Sequence, residues 1–330
     1  MIPKRRVLRR ELLAVAAAAA VGARAPLAYG QAAWQPKQPI RVLVSFPTGG
    51  HLDFIMRAIA PQMTEALGQP FLVENRPGAN GNVAGSMAAR AAPDGLTLLA
   101  ASADTVAVNP HLYRADFDPV KDLEPITQLI SLPLMIVAPA GFPASDASSL
   151  IAHLKASPRT LSYGTPGIGS SLHLVAEVFQ RETGVKLNHV PYKGLAAAIT
   201  DLQGGHVDLV FDAGVSLPQV REGKFKLLAV VGRRRLEEFP NVGTLTEAGL
   251  KGFERDASFV LMAPAGTPTP VIDRINGEVI RAMNSPGVQE QLRARNLRSI
   301  VNSPADARRA LQAEIEQQGR VIREAGIKIE

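Results

Sequence analysis

Two stretches of this 330-residue chain put glycines and hydroxyl residues where a helix begins. In "IRVLVSFPTGGHLDFIMRAIA" the run Phe46, Pro47, Thr48, Gly49, Gly50, His51, Leu52, Asp53 leads into Leu52, Ile55, Met56 and Ile59, spaced i, i+3, i+4 and i+7 on one helical face. In "YGTPGIGSSLHLVAEVF" a turn that includes Tyr163, Thr165, Gly167, Ile168 and Gly169 brings Ser170 and Ser171 to the cap of a second helix, with Leu172, Val175, Ala176 and Phe179 on its apolar face. A helix start carries unpaired N–H groups and the positive end of the macrodipole, and glycine lets a ligand's oxygens come close to the main chain. Each turn is therefore built as a seat for an anion. Taken alone, the first could be a plain strand-to-helix turn capped by Asp53; a second copy in the other half of the chain points to a paired site.

Other chemistry finds less support. "GIGSSL" lacks the third glycine of a dinucleotide fingerprint, and no glycine stands five residues before Gly223-Lys224 as a phosphate-binding loop requires. There is no G-x-S-x-G and no H-E-x-x-H. The histidines, at 51, 111, 153, 173, 189 and 206, have no metal-ligand spacing, so neither a metal nor another cofactor is expected. His51 and His173 differ from the rest in flanking the two seats. With Asp53 or Asp104 and a seat serine they offer the components of a hydrolase or transferase, which needs a nucleophile and base in hydrogen-bond reach. Ser171 and His173, two apart at a helix start, face different directions.

The elements that must position these seats alternate. "IRVLV", "FLVEN", "TLLAAS", "LMIVA", "LSYG", "LNHVPY", "VDLVFD", "KLLAVV" and "FVLMAPA" read as strands, mostly separated by stretches with helical spacing, the pattern of βαβ units and mostly parallel sheets. Ligands in such sheets gather at strand C-termini, which adds Ser102 and Asp104 at and just past the end of the third strand, and Asp212 as the last residue of "VDLVFD", to the candidates. A near-repeat, "LMIVAPAGFPASDASSLIAHL" and "VLMAPAGTPTPVIDRINGEV", suggests matched strands on which the chain crosses between two lobes. Pro61 falls inside the first helix and predicts a kink. The stretch from Ser303 to Ile327 predicts a final helix packed back on the first lobe.

The first thirty residues have a basic start, an apolar core from Leu12 to Val21 and small residues near Gly30, the layout of an export signal cleaved after Gly30. Arg9 and Arg10 leave the Sec and twin-arginine routes both open. Lys4, Arg5, Arg6, Arg9, Arg10 and Arg24 against Glu11 give 6 − 1 = +5 of the chain's 36 − 30 = +6, so the mature chain carries about +1. The basic excess leaves with the signal, and no nucleic-acid partner is implied. The chain has no cysteine, so its exported life uses no disulfides.

The motifs "IRVLVSFPTGGHLD", "VENRPGANGNVAG", "APDGLTLLAASADTVAVNPHLY", "DLEPITQLISLPLMIVAP", "LSYGTPGIGSSLHLVAEVF", "VPYKGLAAAITDLQGGHVDLVFD", "LPQVREGKFKLLAVVGRRR" and "APAGTP" come in this order along the chain. In this they resemble the Bug-type substrate-binding proteins of the tripartite tricarboxylate transporters. The resemblance implies an α/β, two-lobe periplasmic binding protein of type II, a Venus flytrap with a mostly parallel sheet in each lobe. It places lobe 1 at 31–131 plus 257–330 and lobe 2 at 132–256. It further implies a monomer that clamps a small carboxylate between turns 46–53 and 163–171, largely through backbone amides and hydroxyls, and delivers it to permease subunits of a membrane transporter or to a sensor. The periplasmic hydrolase or transferase is the alternative.

Some positions depart from that family. Relatives often carry Pro-Pro-Gly-Gly-Gly-Thr where this chain has Pro47-Thr48-Gly49-Gly50-His51-Leu52, placing two large side chains at the clamp. The aromatic residue usual before "APAGTP" is Ser258, and a position commonly small is Asp104. A carboxylate at 104 either caps the helix that follows it or disfavours further negative charge on the ligand.

Overall fold

The computed structural model describes residues 34–325 except 233, 254 and 255, so the leader at 1–30 lies outside the described residues. The strands in chain order are β1 (Ile40–Val44), β2 (Phe71–Asn75), β3 (Thr97–Ser102), β4 (Leu123–Leu132), β5 (Leu134–Pro139), β6 (Ser162–Thr165), β7 (Asn188–Pro191), β8 (Leu209–Asp212), β9 (Phe225–Val231), β10 (Ala257–Pro264) and β11 (Arg298–Ser299). They form two sheets, ordered β2-β1-β3-β10-β4-β11 and β7-β6-β8-β5-β9.

Both sheets are mixed. β2, β1 and β3 run parallel, as do β7, β6 and β8. β10 inserts antiparallel between β3 and β4, and β5 inserts antiparallel between β8 and β9. The parallel arrangement expected from the βαβ pattern thus covers three strands of each sheet. The rest differs because β5 and β10 are the strands entered directly from the other sheet, with no crossover helix to reverse the chain. The first crossing is short: β4 ends at Leu132, Pro133 intervenes and β5 starts at Leu134. The "APAG" near-repeat falls on β5 and β10, which hold equivalent places in the two sheets.

β4 has no counterpart among the strands read from sequence. It contains Pro125, which cannot donate to a ladder, and its pairing with β10 shifts register next to that residue. The N–H that proline lacks is thereby accommodated at an irregularity.

The first helix, His51–Leu67, buries Leu52, Ile55, Met56 and Ile59 and runs on through Pro61. Its partner in the other half, Ser171–Thr183, buries Leu172, Val175, Ala176 and Phe179. The last helix, Pro304–Ala325, packs on β4 as expected, with Leu311 in a buried cluster with Leu43, Leu99, Val260 and Met262. It also reaches the helix Ser171–Thr183 of the other sheet, where Ile322 meets Leu174 and Val108. The tail therefore joins both halves. Leu311→Ala, which empties a site 3% exposed, is expected to cost about 2–4 kcal/mol, read as a lower urea midpoint with an unchanged slope.

Candidate functional site

The C-terminal ends of β1, β3, β6 and β8 open on one cavity of about 850 Å³ between the two sheets, within the roughly 300–1,000 Å³ span of small-molecule sites. Of the residues singled out from sequence, the whole first turn from Phe46 to Asp53 lines it, together with Ser102, Asp104, Ser170 and Ser171. Tyr163, Thr165, Gly167, Ile168, Gly169, His173 and Asp212 do not line the cavity and lie behind it.

At the first seat the helix cap is Gly50, whose position leaves no side-chain cap, so Asp53 is not the cap expected from sequence. It acts from inside the first turn: Oδ2 accepts from Gly49 N at 2.9 Å and Oδ1 from Arg57 Nε at 2.9 Å. Arg57 and Thr48 also donate to Asn75 Oδ1, while Asn75 Nδ2 donates to Phe46 O. The turn is thus braced from β2, with the Asp53 charge already neutralised. Gly49 adopts φ +87°, a left-handed conformation costly for other residues. The N–H groups of the helix's first turn have no acceptor within the helix, and Gly50, His51 and Leu52 face the cavity.

At the second seat Ser170 is the cap, its Oγ accepting from His173 N at 3.2 Å and donating to Gly167 O at 2.8 Å. A frame of buried and half-buried side chains supports it. Gly169 N donates to His173 Nδ1 at 3.2 Å, and the other nitrogen of that ring faces Glu177 at 3.6 Å. Stacked rings continue from His173 to His189, 4.2 Å apart, and from His189 to Tyr163, 4.9 Å apart. Thr165 Oγ1 pairs with His189 Nε2 at 2.7 Å, and Tyr163 donates to Glu177. Behind the end of β8, Asp212 accepts from the N–H groups of Gly214, Val215 and Ser216 and from Ser216 Oγ, fixing the loop that lines the cavity.

Several contacts cross the cleft beside the seats. Asp104 Oδ2 accepts from Ser171 N at 2.8 Å and from Ser171 Oγ. Tyr113 donates to Ile168 O at 2.6 Å, Asn80 to Gly169 O at 3.1 Å, and His51 Nε2 meets Ala213 O at 3.1 Å. Asp104 therefore caps not the helix that follows it but a helix of the other sheet. Gly169 also faces the cross-sheet contact: at φ +76° a Cβ there would lie 3.1 Å from the Tyr113 ring.

Sequence reasoning missed much of the wall. Leu132 and Leu134 line it at the crossing, and Phe259, 5.8 Å from Phe46, supplies an aromatic ring one residue beyond Ser258. The loop Ala213–Val215 was foreseeable as a strand C-terminus, and Asn80 and Lys193 lie within turn motifs. Arg295, held with its guanidinium 3.8 Å above the Phe54 ring, had no local signal.

The histidines of the frame are held neutral. Burial lowers the pKa of His51, with the Asp212 charge opposing, and of His173, with Glu177 opposing. Burial and then the neighbouring His173 bring His189 down to about 3. Both ring nitrogens of His173 are engaged away from Ser171, which donates to Asp104. Among the described residues no group of three His, Cys, Asp or Glu could hold a metal.

Two mixed α/β sheets with a cleft at their strand ends are the architecture of type II periplasmic binding proteins. The family model for the tripartite tricarboxylate transporter family receptor matches residues 55–327, and the chain belongs to that family. Among solved structures it is similar to the periplasmic binding protein BugD, 31% identical with a TM-score of 0.82, covering 89% of this chain and 100% of that one. It is equally similar to an R. palustris protein solved with adipate, 33% identical with a TM-score of 0.84, over 89% and 99% of the two chains. MatC from Rhodopseudomonas palustris, solved with malate, is 32% identical with a TM-score of 0.80, over 87% and 99%. The family and these neighbours are solute-binding proteins rather than enzymes.

Because His189 is neutral in the fold and titrates near 6.5 when free, its burial contributes fully above about pH 6.5 and the contribution is lost as pH falls toward 3. The melting temperature should therefore drop through this window, and His189→Phe, which keeps the stacked ring without the titration, should flatten that drop. An acid slope identical in both proteins would show that other groups set it.

Proposed function

We propose that this chain is an exported receptor that binds a small carboxylate between its two sheets and delivers it to permease subunits of a membrane transporter or to a sensor. The observation that carries the reading is the pair of strand–turn–helix starts, one from each sheet, at a single cavity. In this reading residues 31–131 with 257–330, and residues 132–256, form the two lobes. The ligand carboxylate sits at the 46–53 turn, where first-turn N–H groups and the helix dipole favour an anion, and the chain works as a monomer. Lys193 and Arg295 at the cavity form no ion pair among the described residues, and their field draws an anion inward. Tyr163, Thr165, His173 and Asp212 serve as positioning residues that hold the loops in shape.

The solute-binding neighbours with adipate and malate support the ligand class. The receptor reading is favoured over the hydrolase alternative because His51 pairs with Ala213 O and His173 Nδ1 accepts from Gly169 N. A panel of mono- and dicarboxylates, each followed by thermal melting and recovery of the acid, tests the proposal. A receptor gains about 2.7 kcal/mol at a hundredfold excess over Kd and returns its ligand unchanged. Chemical turnover of any acid, or no stabilisation by any, refutes it.

A further inference from the structure

The second seat is already filled by the chain's own carboxylate. Asp104, two residues past the end of β3, reaches across the cleft and takes both the N–H and the hydroxyl of Ser171, the first residue of the helix Ser171–Thr183. Both residues are 4% exposed, so this is an interior contact. A helix N-terminus there would otherwise favour an outside anion. The other hydroxyl of the turn, Ser170 Oγ, is committed to His173 N and Gly167 O.

The surroundings argue in the same direction. The wall of the cavity that Asp104 and Ser102 line also holds the apolar side chains of Leu132, Leu134, Leu172 and Phe259. The cations of the cavity lie on other elements. Arg57 is held by Asp53 and Arg221 by Glu238, while Lys193 follows β7 and Arg295 lies over Phe54. The first seat leaves its first-turn N–H groups to a ligand anion, whereas the N-terminus at the second seat already holds the Asp104 carboxylate.

We infer that Asp104 makes this receptor selective for monocarboxylates with an apolar body, by standing in for the distal carboxylate that a diacid would bring to Ser171. This rests on the carboxylate-receptor reading and specifies its ligand class. A diacid would have to leave its second carboxylate against apolar wall and beside the Asp104 charge, both unfavourable in a site of low dielectric. A monoacid places only methylene or ring carbons there, which the wall accepts by burial of apolar surface.

Hexanoate and adipate isolate the point, since they share a six-carbon chain and differ by one terminal carboxylate. Calorimetric titration of the wild type, Asp104→Gly and Asp104→Asn with both acids is the experiment, with a urea midpoint for each protein to establish that it is folded. The wild type should bind hexanoate at least tenfold more tightly than adipate. Asp104→Gly, which frees Ser171, should raise adipate affinity at least tenfold and close or invert that ratio. Asp104→Asn, which keeps the size of the side chain without its charge, should shift the ratio in the same direction by less. Adipate bound as tightly as hexanoate by the wild type, or a ratio unchanged in both variants, overturns the inference while leaving the receptor reading intact. If neither acid binds any of the three proteins, the inference falls, and the wider acid panel then shows whether the receptor reading falls with it.

Discussion

A helix cannot pair its own first N–H groups, and both halves of this protein turn that unmet demand toward the same space. The β1 turn ends in Gly50 and the helix His51–Leu67; the β6 turn ends in Ser170 and the helix Ser171–Thr183. Because three strands of each sheet are parallel, these helix starts and the ends of β3 and β8 all lie on the side where the sheets face one cavity. The two N-termini are treated differently. At the first the chain spends Asp53 on bracing the turn from within; at the second it supplies Asp104 from the opposite sheet.

The groups that touch the cavity are shaped by a layer that does not. Asp212 holds three successive N–H groups of the loop after β8, and Asn75 pins the first turn to β2. The stack of His173, His189 and Tyr163 stands behind the second turn and is kept neutral by its own burial. Buried polar groups need partners to offset desolvation, and here several of those partners are backbone N–H groups of the loops at the cavity. The residues outside the cavity therefore bear on the geometry of the loops that line it.

The equivalent placing of β5 and β10 gives the two halves one plan: a parallel trio, an antiparallel insert entered from the other half, and a further strand beyond it. Chain crossings at Leu132–Leu134 and before Ala257 bring wall residues of the cavity to the same place as the passage between sheets. Solute-binding relatives of the family share the fold at about a third identity. The carboxylate at 104 and the side chains at 51 and 52 all line this chain's cavity.

Local sequence determined the strands with strong apolar runs, the faces of the helices and the two turns, because those depend on periodicity and on glycine's access to left-handed backbone, as at Gly49. It also placed Ser170 at a cap, since a serine before an apolar helical face has few other roles. It did not reveal β4, whose Pro125 is tolerated only through a register shift against β10, or the antiparallel inserts, which follow from where the chain crosses between sheets. The partner of Asp104 was beyond reach for the same reason. Its acceptor oxygen could serve the helix beside it or one sixty-seven residues away, and only the approach of the two sheets put Ser171 in range. Arg295 likewise reaches the cavity from a segment with no motif, because a long side chain's destination is set by packing between distant elements and not by its neighbours in sequence.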